Sequence, residues 1–114
     1  MHMEMNQLEK DILTWMSSRS SSEAFSAQVE LLKVTNREYT GVGCYTDFEI
    51  QTEKTVQPIL NHSKPYHGPY IDSPELEAGA GTHLWIEEGL IKCLEIFAYG
   101  DSFPEPLEEY KLKG

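Results

Sequence analysis

The stretch Ala78–Glu105, AGAGTHLWIEEGLIKCLEIFAYGDSFPE, constrains the fold more than any other part of this chain. Thr82–Glu87 and Leu90–Tyr99 are runs rich in aliphatic and aromatic residues, and Gly89 suits the left-handed position of a three-residue loop, Glu87-Glu88-Gly89. This predicts a β-hairpin. In that register Leu84, Ile86, Leu90, Leu94, Ile96 and Ala98 share one face. His83, Trp85, Ile91, Cys93, Glu95, Phe97 and Tyr99 share the other, and Lys92 falls on the aliphatic side near an edge where it reaches water. A strand that is apolar on both faces is either covered twice or offers one side to a partner.

The remaining elements read around that hairpin. Asn6-Gln7-Leu8-Glu9 fits a capping box, and Met5, Leu8, Ile12, Trp15 and Met16 recur at helical spacing, which predicts an amphipathic helix over 7–17. Five serines between Ser17 and Ser22 end it in a loop. Phe25, Ala27, Val29 and Leu31 alternate with polar residues and predict a strand that ends near Thr35, with a turn at Asn36-Arg37. A second strand follows over 42–50, where Cys44, Thr46, Phe48 and Ile50 alternate with Gly43, Tyr45, Asp47 and Glu49. Gly41 and Gly43 at its start point to a bulge or a close backbone approach. Residues 52–78 are irregular and carry four prolines. Tyr66–Ile71 reads as a short edge strand that tolerates Pro69, and Ser73-Pro74 as the start of a one-turn helix. With 114 residues the chain forms one domain, 1–114. Its class is α+β, an N-terminal helix packed on a four- or five-stranded, mainly antiparallel sheet.

Charge limits the partners. The net charge is −10, and residues 72–114 hold ten acids against three bases. Such a field repels phosphate backbones and anionic lipid, so neither nucleic acid nor a membrane surface is expected as a partner, whereas a basic protein is attracted. No apolar run has the length of a membrane span, and MHMEMNQLEKD has neither the basic nor the apolar region of a signal peptide, so a bacterial or other reducing cytoplasm is the expected location. Cys44 and Cys93 lie far apart with no CxxC pattern and read as buried thiols.

No motif specifies a reaction. No Ser, Cys or Lys has a local nucleophile signature, and Gly79-Ala80-Gly81 precedes a strand instead of opening a helix. His62 and His67, near Asp72 and Glu75, match no metal-site spacing, and neither metal nor cofactor is expected. Two groups of residues remain as ligand or partner contacts. On the hairpin, His83, Trp85, Glu95, Phe97 and Tyr99 combine apolar bodies with polar tips, although the same face could pack under Trp15 and Met16 of the helix. In the preceding loop, Tyr66, His67 and Tyr70 offer adaptable contact area, or pin that loop to the core. Asp101 adds an acid beside the end of the hairpin.

Gly79–Glu105, with Leu94-Glu95-Ile96, Tyr99-Gly100-Asp101 and Pro104 at its centre, resembles the C-terminal end of small acidic bacterial α+β proteins. Some of these are similar to predicted immunity proteins of bacterial toxin systems. The resemblance implies a cytoplasmic binding protein without cofactor or catalysis and identifies no individual contact. The leading expectation is therefore a non-enzymatic binding protein, of the immunity type that inhibits a basic protein toxin. A small-molecule-binding or minor enzymatic domain that uses the 66–70 loop and the aromatic hairpin face stands beside it. So does a homo-oligomer that pairs through its sheet.

Overall fold

Asn6 and Ser22 start two helices that lie against the sheet. The computed structural model describes residues 3–50, 56–100 and 102–114. Helix α1 spans Gln7–Ser18 and opens with the expected capping box, the Asn6 side chain accepting from the Glu9 amide while the Glu9 carboxylate accepts from the Asn6 amide. Helix α2 spans Glu23–Leu31, with the Ser22 hydroxyl accepting from the Phe25 amide. Leu8, Ile12, Leu13 and Met16 of α1 and Ala24, Phe25 and Gln28 of α2 face one core.

The second helix corrects the strand expected from Phe25. The residues that turn inward are Ala24, Phe25, Gln28 and then Leu32, a helical spacing. Gln28 hides that spacing, because in the alternation of Phe25, Ala27 and Val29 a polar Gln28 falls on the solvent side. It is in fact fully buried: its amide nitrogen donates to the carbonyls of Gln57 (2.9 Å) and Gly89 (2.8 Å), and its oxygen accepts from the Ile91 amide (3.0 Å). A buried amide with all three bonds made is a tolerated core residue, and this one ties α2 to the tip of the hairpin.

Among the described residues, seven strands form one antiparallel sheet, more than the four or five expected. They are β1 (Leu32–Tyr39), β2 (Gly43–Ile50), β3 (Tyr66–His67), β4 (Tyr70–Asp72), β5 (Ala80–Glu87), β6 (Leu90–Ala98) and β7 (Lys111–Lys113). The order is β1-β2-β6-β5-β4-β7, with β3 also beside β5. The first hairpin turns at residues 40–42, with Gly41 at φ 92°, and not at Asn36-Arg37, which lie inside β1 beyond a bulge between Val34 and Asn36. The expected edge strand divides into β3 and β4 around Pro69. Of these two, β4 is not an edge strand, since it lies between β5 and β7. Ser73-Pro74 makes a turn, not a helix: the Ser73 hydroxyl accepts from the Glu75 amide and donates to the Glu109 carbonyl. The Glu75 carboxylate then accepts from the amides of Glu108 and Glu109 and fixes the C-terminal segment.

The β5–β6 loop has two residues, not three. Glu88 (φ 53°) and Gly89 (φ 80°) are both left-handed, the arrangement that matches the twist of a hairpin. A bulge follows, since Trp85 opposes Cys93 while Ile86 opposes Ile91. The extra residue is Lys92, which is exposed. This single insertion moves Ile91 to the core face, where it is 1% exposed, and leaves Leu90 half-buried, the reverse of the expected register.

Both helices lie on the face that carries Cys44, Thr46, Phe48, Leu84, Leu94 and Ile96, and these side chains join the helices in one core. The aromatic hairpin face does not pack under Trp15 and Met16: Met16 is buried in that core, and Trp15 is half-buried beneath Arg19. In the segment 56–65, Ile59 turns to the core side, whereas Lys64 and Pro65 border a surface pocket beside Trp85. Ile59 is buried and donates its amide to the Gly89 carbonyl, next to Gln28. Among the described residues, no helix is long and apolar enough to cross a membrane.

Candidate functional site

The face turned away from the helices is built from cross-strand rows. Directly paired residues in an antiparallel ladder point to the same side. Glu38, Tyr45, Glu95, His83 and His67 are successive partners across β1, β2, β6, β5 and β3, one row over five strands. At the usual strand separation it runs about 19 Å. Beside it lies the row Asn36, Asp47, Cys93, Trp85, and on its other side Gly43, Phe97, Gly81. Trp85 (39%), Tyr45 (41%) and Tyr99 (47%) are among the large side chains exposed to solvent.

Glu95 is the centre of the face. One carboxylate oxygen accepts the Trp85 indole N–H at 3.1 Å, and the other accepts the Tyr45 hydroxyl at 3.1 Å. His83 Nδ1 lies 3.8 Å from the first oxygen, and its ring packs on Phe97 (4.7 Å between centroids) and on His67 (5.0 Å). The hydrogen bond to Glu95 pushes the Tyr45 hydroxyl pKa up, because ionising the phenol would face a carboxylate. Burial, and then the hydrogen bond to Asp47, push the Cys93 thiol up to about 12. This favours the thiol form of Cys93.

Glycine shapes the other half of the face. A Cβ on Gly81 would stand 2.5 Å from the Phe97 ring and 2.5 Å from the Tyr99 hydroxyl, so the two aromatics, edge-to-face at 5.5 Å, close over the space that a side chain there would fill. A Cβ on Gly43 would reach within 2.0 Å of the Ile96 carbonyl oxygen, which is the close approach expected there. Tyr70 stacks on Tyr99 (6.3 Å) and donates to the Ala78 carbonyl (2.7 Å), which closes the aromatic surface beside Gly79.

Of the residues singled out in the sequence, the structure gathers His67, Tyr70, His83, Trp85, Glu95, Phe97 and Tyr99 on or beside this face. Tyr66 is not among them. It pairs with Leu84, so it points to the core side, where its ring lies 5.5 Å from Phe25. Asp101 lies outside the described residues. Tyr45 and Asp47 also belong to the face, although the sequence marks Asp47 only as part of a solvated strand face and Tyr45 not at all. They stand in the outward set of β2, but the pairing of β2 with β6 that brings them to Glu95 and Cys93 leaves no mark in the sequence.

A second feature lies on the core side. A cavity of about 320 Å³ opens between the N-terminal end of α1 and the segment 103–110, lined in part by Glu9, Tyr39, Cys44, Phe103 and Leu107. Glu9 is 1% exposed and fully engaged. It takes a two-pronged contact from Arg37 (2.7 Å on each oxygen), the Thr46 hydroxyl (2.7 Å) and the Asn6 amide (2.9 Å). The bond to Glu9 pushes the Arg37 pKa up, and burial raises the Cys44 thiol. Among the described residues no group of three or more His, Cys, Asp or Glu could hold a metal ion.

Comparison of the chain with protein-family models, curated proteins and solved structures finds no match.

Proposed function

We propose that this protein is a non-enzymatic, cytoplasmic binding protein that engages a basic protein through the outer face of its sheet. The observation that carries the reading is the five-strand row centred on Glu95, with Trp85, Tyr45 and Tyr99 exposed around it and both helices on the other side. Aromatic residues around a carboxylate are the composition of an interface centre. The acids Glu38, Asp47 and Glu95 on these rows, within a chain of net charge −10, favour a basic partner. An open face suits a protein surface better than a small molecule, which is held in a concave pocket. The finer form of the reading is an immunity-type inhibitor of a basic toxin. Acidity and the resemblance of Gly79–Glu105 support it.

The test places a photo-reactive side chain at Tyr99 in the native cell, purifies the cross-linked protein, and measures its binding to wild type and to Trp85→Ala. The expected partner is basic and associates more slowly as salt rises. Trp85→Ala should weaken it about tenfold or more. For the immunity form, the same complex must also suppress the toxicity of the captured protein. An acidic partner, a salt-independent on-rate or indifference to Trp85→Ala refutes the reading. Sedimentation equilibrium that shows self-association lost in Trp85→Ala would replace the basic partner by a second copy of the chain.

A further inference from the structure

The molecule contains a worked example of how its carboxylates receive an arginine. Glu9 accepts one supporting bond at each oxygen, from the Asn6 amide and from the Thr46 hydroxyl. The two remaining acceptor directions take Arg37, with Nη2 on one oxygen and Nε on the other. A carboxylate has about four acceptor sites, so this arrangement fills it. Glu95 repeats the first half of the pattern on the open face. Its oxygens accept one supporting bond each, from the Trp85 indole and the Tyr45 hydroxyl. Those two donors fix the orientation of the carboxylate and use one acceptor site per oxygen.

We infer that Glu95, framed by Trp85 and Tyr45, is the docking point for an arginine side chain presented by the protein partner. The inference rests on the binding-face reading above and names the group recognised. The planar guanidinium offers two parallel N–H donors that match two oxygens held in fixed positions, whereas an ammonium offers a point charge. The frame supplies a second attraction, since an arginine stacks on aromatic faces and Trp85 and Tyr45 both stay exposed. The chain already uses that contact elsewhere, with the Arg19 guanidinium 3.9 Å from the centre of the Trp15 ring. Glu95 is itself only 20% exposed at its side chain, so a charged bond formed there is less screened than one at the rim.

The two tryptophans provide the readout, since each indole N–H gives its own ¹⁵N–¹H NMR signal. The probe is a blocked Gly-Arg-Gly tripeptide, with Gly-Lys-Gly and the neutral isostere Gly-citrulline-Gly as controls. The arginine peptide should shift the Trp85 signal saturably, with a dissociation constant in the millimolar range. The Trp15 signal should stay still. The lysine peptide should bind about threefold more weakly or worse, and citrulline should give no shift. Glu95→Gln should abolish the response. Glu95→Asp keeps the charge but draws it away from Trp85 and Tyr45, and should weaken the response as well; spectra that match wild type elsewhere show that both variants fold. An equal response to citrulline or lysine, or a response that survives Glu95→Gln, overturns the inference.

The whole partner separates this inference from its premise. Glu95→Gln should lower the partner's affinity about tenfold or more. A partner that needs Trp85 but ignores Glu95→Gln overturns the arginine anchor and leaves the binding face standing. Arginine-peptide binding at Glu95, in a chain whose partner ignores Trp85→Ala, overturns the face and leaves the arginine site standing.

Discussion

Removing Arg37 tests how the core tolerates a buried charge. Arg37→Met keeps much of the aliphatic length and deletes both bonds to Glu9, together with the bond from Nη2 to the Glu4 carbonyl (2.9 Å). Glu9 is then a carboxylate at 1% exposure with two donors, the Asn6 amide and the Thr46 hydroxyl, and no counter-charge. Breaking a buried pair by removing one partner costs about 3–5 kcal/mol, and the 13% exposure of Arg37 lets some water reach the site, which places the expectation near about 3. That is a large share of the roughly 5–15 kcal/mol that holds a domain folded. The double variant Glu9→Gln/Arg37→Met removes the charge as well as its partner. Gln retains an oxygen for the Thr46 hydroxyl or the Asn6 amide and keeps the capping-box chemistry at this position. The double variant should therefore be more stable than Arg37→Met alone by about 1–2 kcal/mol. Urea denaturation of the two single variants and the double variant, at one pH and with unchanged m-values, measures the cycle. A loss below about 1 kcal/mol for Arg37→Met would show that the site is solvated and not buried. A double variant as unstable as the sum of the singles would show that Glu9 and Arg37 act independently, against the geometry.

Other perturbations follow from single contacts. Leu94 is fully buried, so Leu94→Ala should cost about 3–5 kcal/mol in urea denaturation, whereas Trp15→Ala, at a half-buried residue capped by Arg19, should cost about 1–2. Gln28→Leu removes the side-chain partner of the Gln57 carbonyl and the Ile91 amide, while the Gly89 carbonyl keeps the Ile59 amide. It should cost about 2–4 kcal/mol and speed amide exchange at Ile91, and unchanged exchange there would refute the role given to Gln28. Burial raises Cys93 from the ordinary thiol value of 9.0 to about 12, so the folded state holds a proton that the unfolded chain releases. This contribution to stability is complete below pH 9.0 and is lost as pH rises toward about 12. Thermal melts across that window should fall less steeply for Cys93→Ala. Some slope should remain, because burial also raises Cys44, Tyr39 and Tyr110.

Where the sequence carried a short-range signal, it was legible. The capping box at Asn6–Glu9 specified the start of α1, because its partners are three residues apart. The alternation around Cys44–Ile50 placed β2, and Tyr45 and Asp47 were already in its outward set. Two residues defeated the same logic. Gln28 broke the helical pattern of α2 by being polar and buried, and its partners lie at Gln57, Gly89 and Ile91, far along the chain. Lys92 shifted the hairpin by one position, and a bulge is decided by how the two strands pack, not by the composition of either.

The sequence by itself determined the α+β class, the antiparallel hairpin, the acidic charge and the presence of an aromatic set around Glu95, because these depend on residue type and near neighbours. Only the tertiary structure decided which face of that hairpin the helices cover. The two faces were similarly apolar in the sequence, and the choice fell to shape. Leu84, Leu94 and Ile96 pack beneath α1 and α2, while on the other face Gly81 leaves the space that Phe97 and Tyr99 occupy. Strand order decided the rest, since Tyr45 and Trp85 meet at Glu95 only because β6 lies between β2 and β5.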